Sequence, residues 1–125
     1  MLQLAINGQS DYDVETLRTA TQYDSALEDK PELIKWFWET VGSMTPEDRS
    51  LLLVFVTGSS SIPTEGVGAI KFTVVLYSRG SSSSLPVSHT CFNILELPPY
   101  ESREQLSERL VYAIRNTSVG QFGMM

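Results

Sequence analysis

The sequence predicts an α+β domain, with helices packed on a small mixed or antiparallel sheet. Three observations lead there. Apolar residues recur at helical spacing in segments between residues 14 and 56. Runs rich in β-branched and aromatic or leucine side chains at 71–77 and 91–97 read as strands, and helical spacing returns over 106–114. Helices first, strands next and a helix last is the order of an α+β domain, not of a doubly wound one.

Residues 1–10 end in Asn7-Gly8-Gln9-Ser10, which reads as a turn or linker. The folded domain is therefore expected over 11–125, with 1–10 either an added tail or the remnant of a hinge. Asp13 is placed to cap a first helix over 14–23, with Val14, Leu17 and Ala20 or Thr21 on one face. Asp29-Lys30-Pro31-Glu32 opens a second helix. Pro31 fits its first turn because the missing N–H would have had no helical partner there. Leu33, Trp36, Phe37 and Val41 form one face of this helix and Ile34 and Trp38 another, so it is expected to be buried on more than one side, with the Trp36 ring in the core. Thr45-Pro46-Glu47-Asp48 repeats the start signal for a third helix through Leu51 and Val56, and Gly58 is its stop.

Residues 59–68 form a loop, and 71–77 a strand. Gly80 and the four serines that follow make a solvated connection, which Leu85-Pro86 ends. A second strand is expected over 91–97, terminated by Pro98-Pro99, which cannot donate to a ladder. Ser102-Arg103-Glu104-Gln105 has capping-box spacing, and the helix after it carries Leu106, Leu110, Ala113 and Ile114 on one face. Residues 117–125 have two glycines and no periodicity, and read as a tail beyond that helix.

Composition narrows the function classes. A chain of 125 residues, 42% of them hydrophobic, suits one domain with a real core. The formal net charge of −6 repels phosphate backbones and anionic headgroups, so nucleic acid and membrane surfaces are not expected partners. No apolar run approaches the ~20 residues that span a bilayer. A single cysteine allows no internal disulfide, and without a signal peptide the expected compartment is the cytosol or nucleus. One cysteine and one histidine supply no metal-binding spacing, and no cofactor is expected.

Cys91 reads two ways on pattern alone. A lone cysteine is more often a small buried apolar residue than a nucleophile. A thiol at a loop-to-strand junction is also placed to be exposed, and the one histidine, His89, lies two residues before it. His89 can flank the thiol in an extended segment, or simply cap the turn. A papain-like or caspase-like hydrolase would need a histidine on a distant segment, which the chain lacks. Gly66-Val67-Gly68 is not a phosphate cradle, because the third glycine and the strand-to-helix context are missing. The carboxylates fall at helix starts and exposed faces, where capping and the helix dipole account for them. Phe122, between flexible residues near the carboxy terminus, is either a docked anchor or part of a loose end.

The segment Leu85-Pro86-Val87-Ser88-His89-Thr90-Cys91-Phe92-Asn93, followed by Leu95-Glu96-Leu97-Pro98-Pro99-Tyr100, is very similar to the active-site signature of HECT ubiquitin ligases. Thr21-Gln22-Tyr23-Asp24, Ile34-Lys35-Trp36-Phe37-Trp38-Glu39 and Leu53-Val54-Phe55-Val56-Thr57-Gly58-Ser59 occur in that family's order and spacing. Residues 106–114 resemble its last helix and Phe122-Gly123 its tail, so the likeness covers nearly the whole chain, as a carboxy-terminal catalytic lobe.

The resemblance implies a fold, a reaction and partners. Cys91 would accept ubiquitin from a conjugating enzyme as a thioester and pass it to a lysine of a protein substrate. His89, Thr90 and Phe122 would support the site, Phe122 in lysine transfer. Ubiquitin's tail is expected to lie extended beside the strand after Cys91, near Asn93 and Leu95. Glu96, Glu101 and the terminal carboxylate are candidates to orient or deprotonate the lysine. The family's larger amino-terminal lobe, which recruits the conjugating enzyme, is not among these residues, and Gly8-Gln9-Ser10 falls at the hinge between lobes. The isolated lobe is expected to be a monomer that folds alone. The competing reading is a non-catalytic ubiquitin-binding or protein-binding module on the same fold, for which a Ser or Ala at position 91 would have spoken.

Overall fold

The computed structural model describes residues 12–59 and 62–124, with 117–124 described by their backbone course. The hinge segment 1–10 lies outside the described residues. In chain order the elements are α1 (Val14–Ala20), β1 (Gln22–Tyr23), α2 (Ser25–Glu28), α3 (Pro31–Ser43), α4 (Pro46–Thr57), a short 3-10 turn (Val67–Ala69), β2 (Thr73–Leu76), β3 (Val87–His89), β4 (Ile94–Leu97) and α5 (Arg103–Met124). The architecture is the expected α+β one, helices packed on a small mixed sheet.

The starts of α3 and α4, and the stop of α4, follow their sequence signals. Pro31 opens α3 after Lys30 at the cap. Thr45 caps α4 by accepting the Asp48 N–H through its hydroxyl at 3.1 Å. Gly58 ends α4 with φ 84°, a left-handed conformation that costs glycine nothing. At α5 the cap is a variant of the expected box. Ser102 Oγ accepts the Gln105 N–H at 3.1 Å, but the Gln105 side chain reaches back to the Glu101 N–H at 2.9 Å rather than to that of Ser102. Asp13 stands at the cap of α1 without binding a helix amide, and its carboxylate instead accepts from the Thr16 hydroxyl at 2.6 Å.

The first helix is shorter than its periodicity suggests, and the reason is tertiary. The Gln22 N–H donates to Phe72 O at 3.0 Å and the Asp24 N–H to Val74 O at 3.3 Å, so the chain leaves the helix to pair with β2. Asp24 then pins this corner. Its Oδ1 accepts from Leu27 N at 2.9 Å, capping α2, and from Leu76 N at 3.3 Å, across 52 residues of sequence. At the other end of the chain, α5 continues to Met124 and absorbs most of the segment read as a tail.

The strand order is β1-β2-β4-β3. β1 and β4 both run parallel to β2, while β3 pairs antiparallel with β4. β4 therefore sits inside the sheet, and β1 and β3 are its edges. Val74, Leu95 and Leu97 are fully buried on the helix-facing side. There they join a core with Leu106, Leu110, Ala113 and Ile114 of α5, at the spacing that puts one helix stripe inward. Arg115, next along α5, makes a two-pronged contact with buried Asp48 of α4, at 2.9 and 2.8 Å. The Asp48 carboxylate in turn holds the Arg115 guanidinium above its ordinary pKa.

The aromatic core centres on Trp38 rather than on Trp36. Phe37 and Trp38 pack edge to face at 4.8 Å, and Phe72 lies 6.3 Å from each. The Trp38 indole N–H donates to the Tyr23 hydroxyl at 2.8 Å. Trp36 is only partly buried at the margin of the core, because its position on α3 turns it toward the edge of the packed faces. Trp38→Ala is expected to cost about 3–5 kcal/mol in denaturant unfolding, and Trp36→Ala clearly less. A larger loss at Trp36 would contradict this packing.

Candidate active site

The one cysteine sits in the turn of a hairpin, not at the start of a strand. β3 and β4 pair up to His89 opposite Ile94, which leaves Thr90, Cys91, Phe92 and Asn93 to make the connection. The expected strand over 91–97 therefore begins at Ile94, and Val87–His89, to which the sequence assigned no element, is its partner. The Phe92 N–H donates to His89 O at 3.1 Å, closing a β-turn with Thr90 and Cys91 at its centre. Asn93 follows with φ 56°, the one non-glycine residue with positive φ among the described residues. Asparagine tolerates the left-handed region better than most side chains. The Asn93 carbonyl accepts from Thr73 N at 3.1 Å, so the turn's exit is fastened to β2.

The root of the hairpin is held as well. Tyr100, directly after Pro98-Pro99, donates its hydroxyl to Ser84 O at 2.6 Å, and burial pushes this phenol's pKa well above its usual value. Ser84 lies just ahead of Leu85-Pro86 and β3. On the inner side the turn rests on the end of α4, where a β-carbon at Gly58 would lie 3.6 Å from Thr90 Cβ.

The site residues read from the sequence divide into three groups. His89, Thr90, Cys91 and Asn93 come together in this hairpin. Cys91 is exposed, as a nucleophile must be. Leu95 is corrected: its side chain is 0% exposed, and its strand is hydrogen-bonded on both sides, so neither the side chain nor the backbone edge of β4 can receive a peptide. The open edge beside Cys91 belongs to β3. Phe122 lies on α5, and its ring falls outside the described side chains.

Two features were missed. Phe92, beside the thiol, is 72% exposed, an unusual position for a phenylalanine. His89 Nε2 lies 3.3 Å from Glu96 Oε2, with both side chains partly exposed. Val87 opposes Glu96 in the register and His89 is two residues on, so the two side chains meet diagonally on the face turned away from the helices. Only a reading that placed both residues on one hairpin would have found the pair. Among the described residues there is no group of three or more His, Cys, Asp or Glu side chains placed to hold a metal ion.

This is an exposed thiol raised on a braced hairpin tip. The profile of the HECT-domain (ubiquitin-transferase) family matches residues 1–125. The chain is 45% identical over 93% of its length to the E3 ubiquitin-protein ligase pub3 of Schizosaccharomyces pombe, of which it covers 15%. It is 42% identical over 93% of its length to the human E3 ubiquitin-protein ligase NEDD4, of which it covers 9%. With the E3 ubiquitin-protein ligase UPL1 of Arabidopsis thaliana it shares 41% identity over 95% of its length, corresponding to 3% of that protein. The chain belongs to the HECT-domain family, and it spans a small part of the length of these relatives.

The hairpin geometry makes a stability prediction. Asn93→Gly is expected to be nearly neutral, while Asn93→Val should cost at least about 1–2 kcal/mol, because a β-branched side chain is strained at this backbone angle. Equal unfolding midpoints for the two variants would contradict the strained turn.

Proposed function

We propose that this chain is the thioester-carrying lobe of a HECT ubiquitin ligase, with Cys91 as the acceptor of ubiquitin. The observation that carries the reading is the exposed Cys91 thiol at the tip of the β3–β4 hairpin. The same observation favours a carrier over a module that merely keeps the fold, because a binding module has no use for a presented thiol.

Two steps follow from this assignment. In the first, the Cys91 thiolate attacks the thioester carbonyl of a ubiquitin-loaded conjugating enzyme. One C–S bond forms, another breaks, and the free-energy change is small because the two thioesters are alike. In the second, a substrate lysine attacks the new thioester, an amide forms and the thiol is released. Neither step draws on a metal or a redox group. The exposed Phe92 supports a protein partner at this surface, since a large apolar side chain beside a reactive group marks a contact region. Ubiquitin's extended tail is assigned to the free edge of β3, where main-chain hydrogen bonds can continue the sheet toward Cys91. The conjugating enzyme and the protein substrate are the other partners, and the cytosol or nucleus is the compartment that suits a free thiol.

Phe122 is assigned to the second step. Loading needs a thiol and a presented thioester, whereas lysine attack needs the tail and the amine held in near-attack geometry. Small misplacements there cost on the order of 100-fold in rate.

A non-reducing gel after mixing the chain with a ubiquitin-charged conjugating enzyme tests the function. A ubiquitin adduct that a thiol reagent removes, and that Cys91→Ala abolishes, is the expected result. An adduct that survives thiol, or one that Cys91→Ala still forms, would contradict the assignment. In a longer chain that includes the amino-terminal lobe, Phe122→Ala should load but pass ubiquitin to lysine more slowly. Equal loss of both steps would move Phe122 to a folding role.

A further inference from the structure

We propose that His89, oriented by Glu96, is the base that removes the proton from the incoming lysine. The inference rests on the reading of Cys91 as the ubiquitin carrier and adds a residue to its second step.

The geometry supplies the argument. His89 and Cys91 are the first and third residues of the β-turn that the Phe92 N–H closes, so the imidazole and the thiol leave the same short segment. The whole turn spans less than about 7 Å between its end Cα atoms. Glu96 faces His89 from the neighbouring strand, Oε2 to Nε2 at 3.3 Å. A carboxylate there favours the tautomer with its proton on Nε2, which leaves the Nδ1 lone pair free. The pair is a poor candidate for a stabilising contact, because a solvent-exposed ion pair contributes little to folding. It does fix the orientation of the chain's one imidazole, two residues before its one thiol.

The chemistry has a use for that lone pair. Lysine has a reference pKa of about 10.4, so at pH 7 only on the order of one amine in 10³ is uncharged and able to attack. His89 Nδ1 takes one proton from the lysine ammonium. The neutral amine then adds to the thioester carbonyl, and the new C–N bond forms. As the C–S bond breaks, the Cys91 sulfur leaves with the electron pair and takes the second proton from the nitrogen, regenerating the thiol. The His89 imidazolium returns its proton to water. Glu96 is a positioning residue that acts through the imidazole.

The test uses this chain loaded at Cys91 from ubiquitin carrying a small-thiol thioester at its carboxy terminus. The loaded chain is purified, and its discharge is followed with two nucleophiles. Free lysine must lose a proton before it attacks; hydroxylamine is already uncharged at neutral pH. His89→Ala is expected to slow lysine discharge on the order of 100-fold, the usual scale of general-base catalysis. Hydroxylamine discharge should change far less, and added imidazole should restore part of the lysine rate. Glu96→Gln should slow lysine discharge by a smaller factor, with Glu96→Asp nearer the unsubstituted chain. Unchanged lysine discharge in His89→Ala would overturn the proposal. So would an equal loss with both nucleophiles that imidazole does not relieve, since that is the signature of a purely structural role. Failure of the unsubstituted chain to form a thioester would overturn the reading of Cys91, and this inference with it.

Discussion

Leu95 and Leu97 hold β4 in the middle of the sheet, and the position of Cys91 follows from that. Both side chains are fully buried against the helices. β4 is also hydrogen-bonded to β2 on one side and β3 on the other. A strand held by its side chains and by both ladders cannot slip by one residue without turning its buried leucines to water. The turn that precedes it inherits this rigidity. Asn93 is tied to β2 through Thr73, Thr90 leans on the end of α4, and Tyr100 holds the loop that leads into β3. The thiol is exposed, but the frame around it is fixed.

That frame is asymmetric in a way that suits the carrier role proposed for Cys91. One flank of the hairpin is built into the core, while the other, β3, is an edge strand among the described residues, next to the thiol. A flexible loop could present a cysteine equally well, but it could not also define the line along which a long acyl group arrives. Near-attack geometry at a thioester requires both the sulfur and the acyl chain to be placed. Phe92 at the tip extends the contact surface beyond the edge.

The sequence was most legible where local chemistry decides the structure. The starts of α3 and α4, the stop of α4 at Gly58 and the inward stripe of α5 are set by residues within a turn or two of one another, and the chain adopts them as read. It was least legible where a distant segment decides. β1 has two residues and β3 three, too few for any periodicity, and each exists because another strand supplies its hydrogen bonds. Gln22 and Tyr23 look like the end of a helix until β2 is beside them. Leu95 looks available beside Cys91 until its strand is seen to be paired on both sides. The His89–Glu96 contact depends on the same hairpin register and was hidden for the same reason. Spacing alone left Cys91 open between a buried apolar residue and an exposed thiol, and the hairpin turn exposes it.

The account requires one side of the hairpin to be locked and the other to be open until ubiquitin arrives. Amide hydrogen exchange across residues 87–97, in the free chain and in the chain loaded with ubiquitin at Cys91, tests this most directly. In the free chain the β4 amides should exchange only through global unfolding, while the β3 amides directed away from β4 exchange fast. Loading should slow those β3 amides and leave β4 unchanged. Protection that appears on α1 instead, or β4 amides that exchange as quickly as the turn, would contradict it.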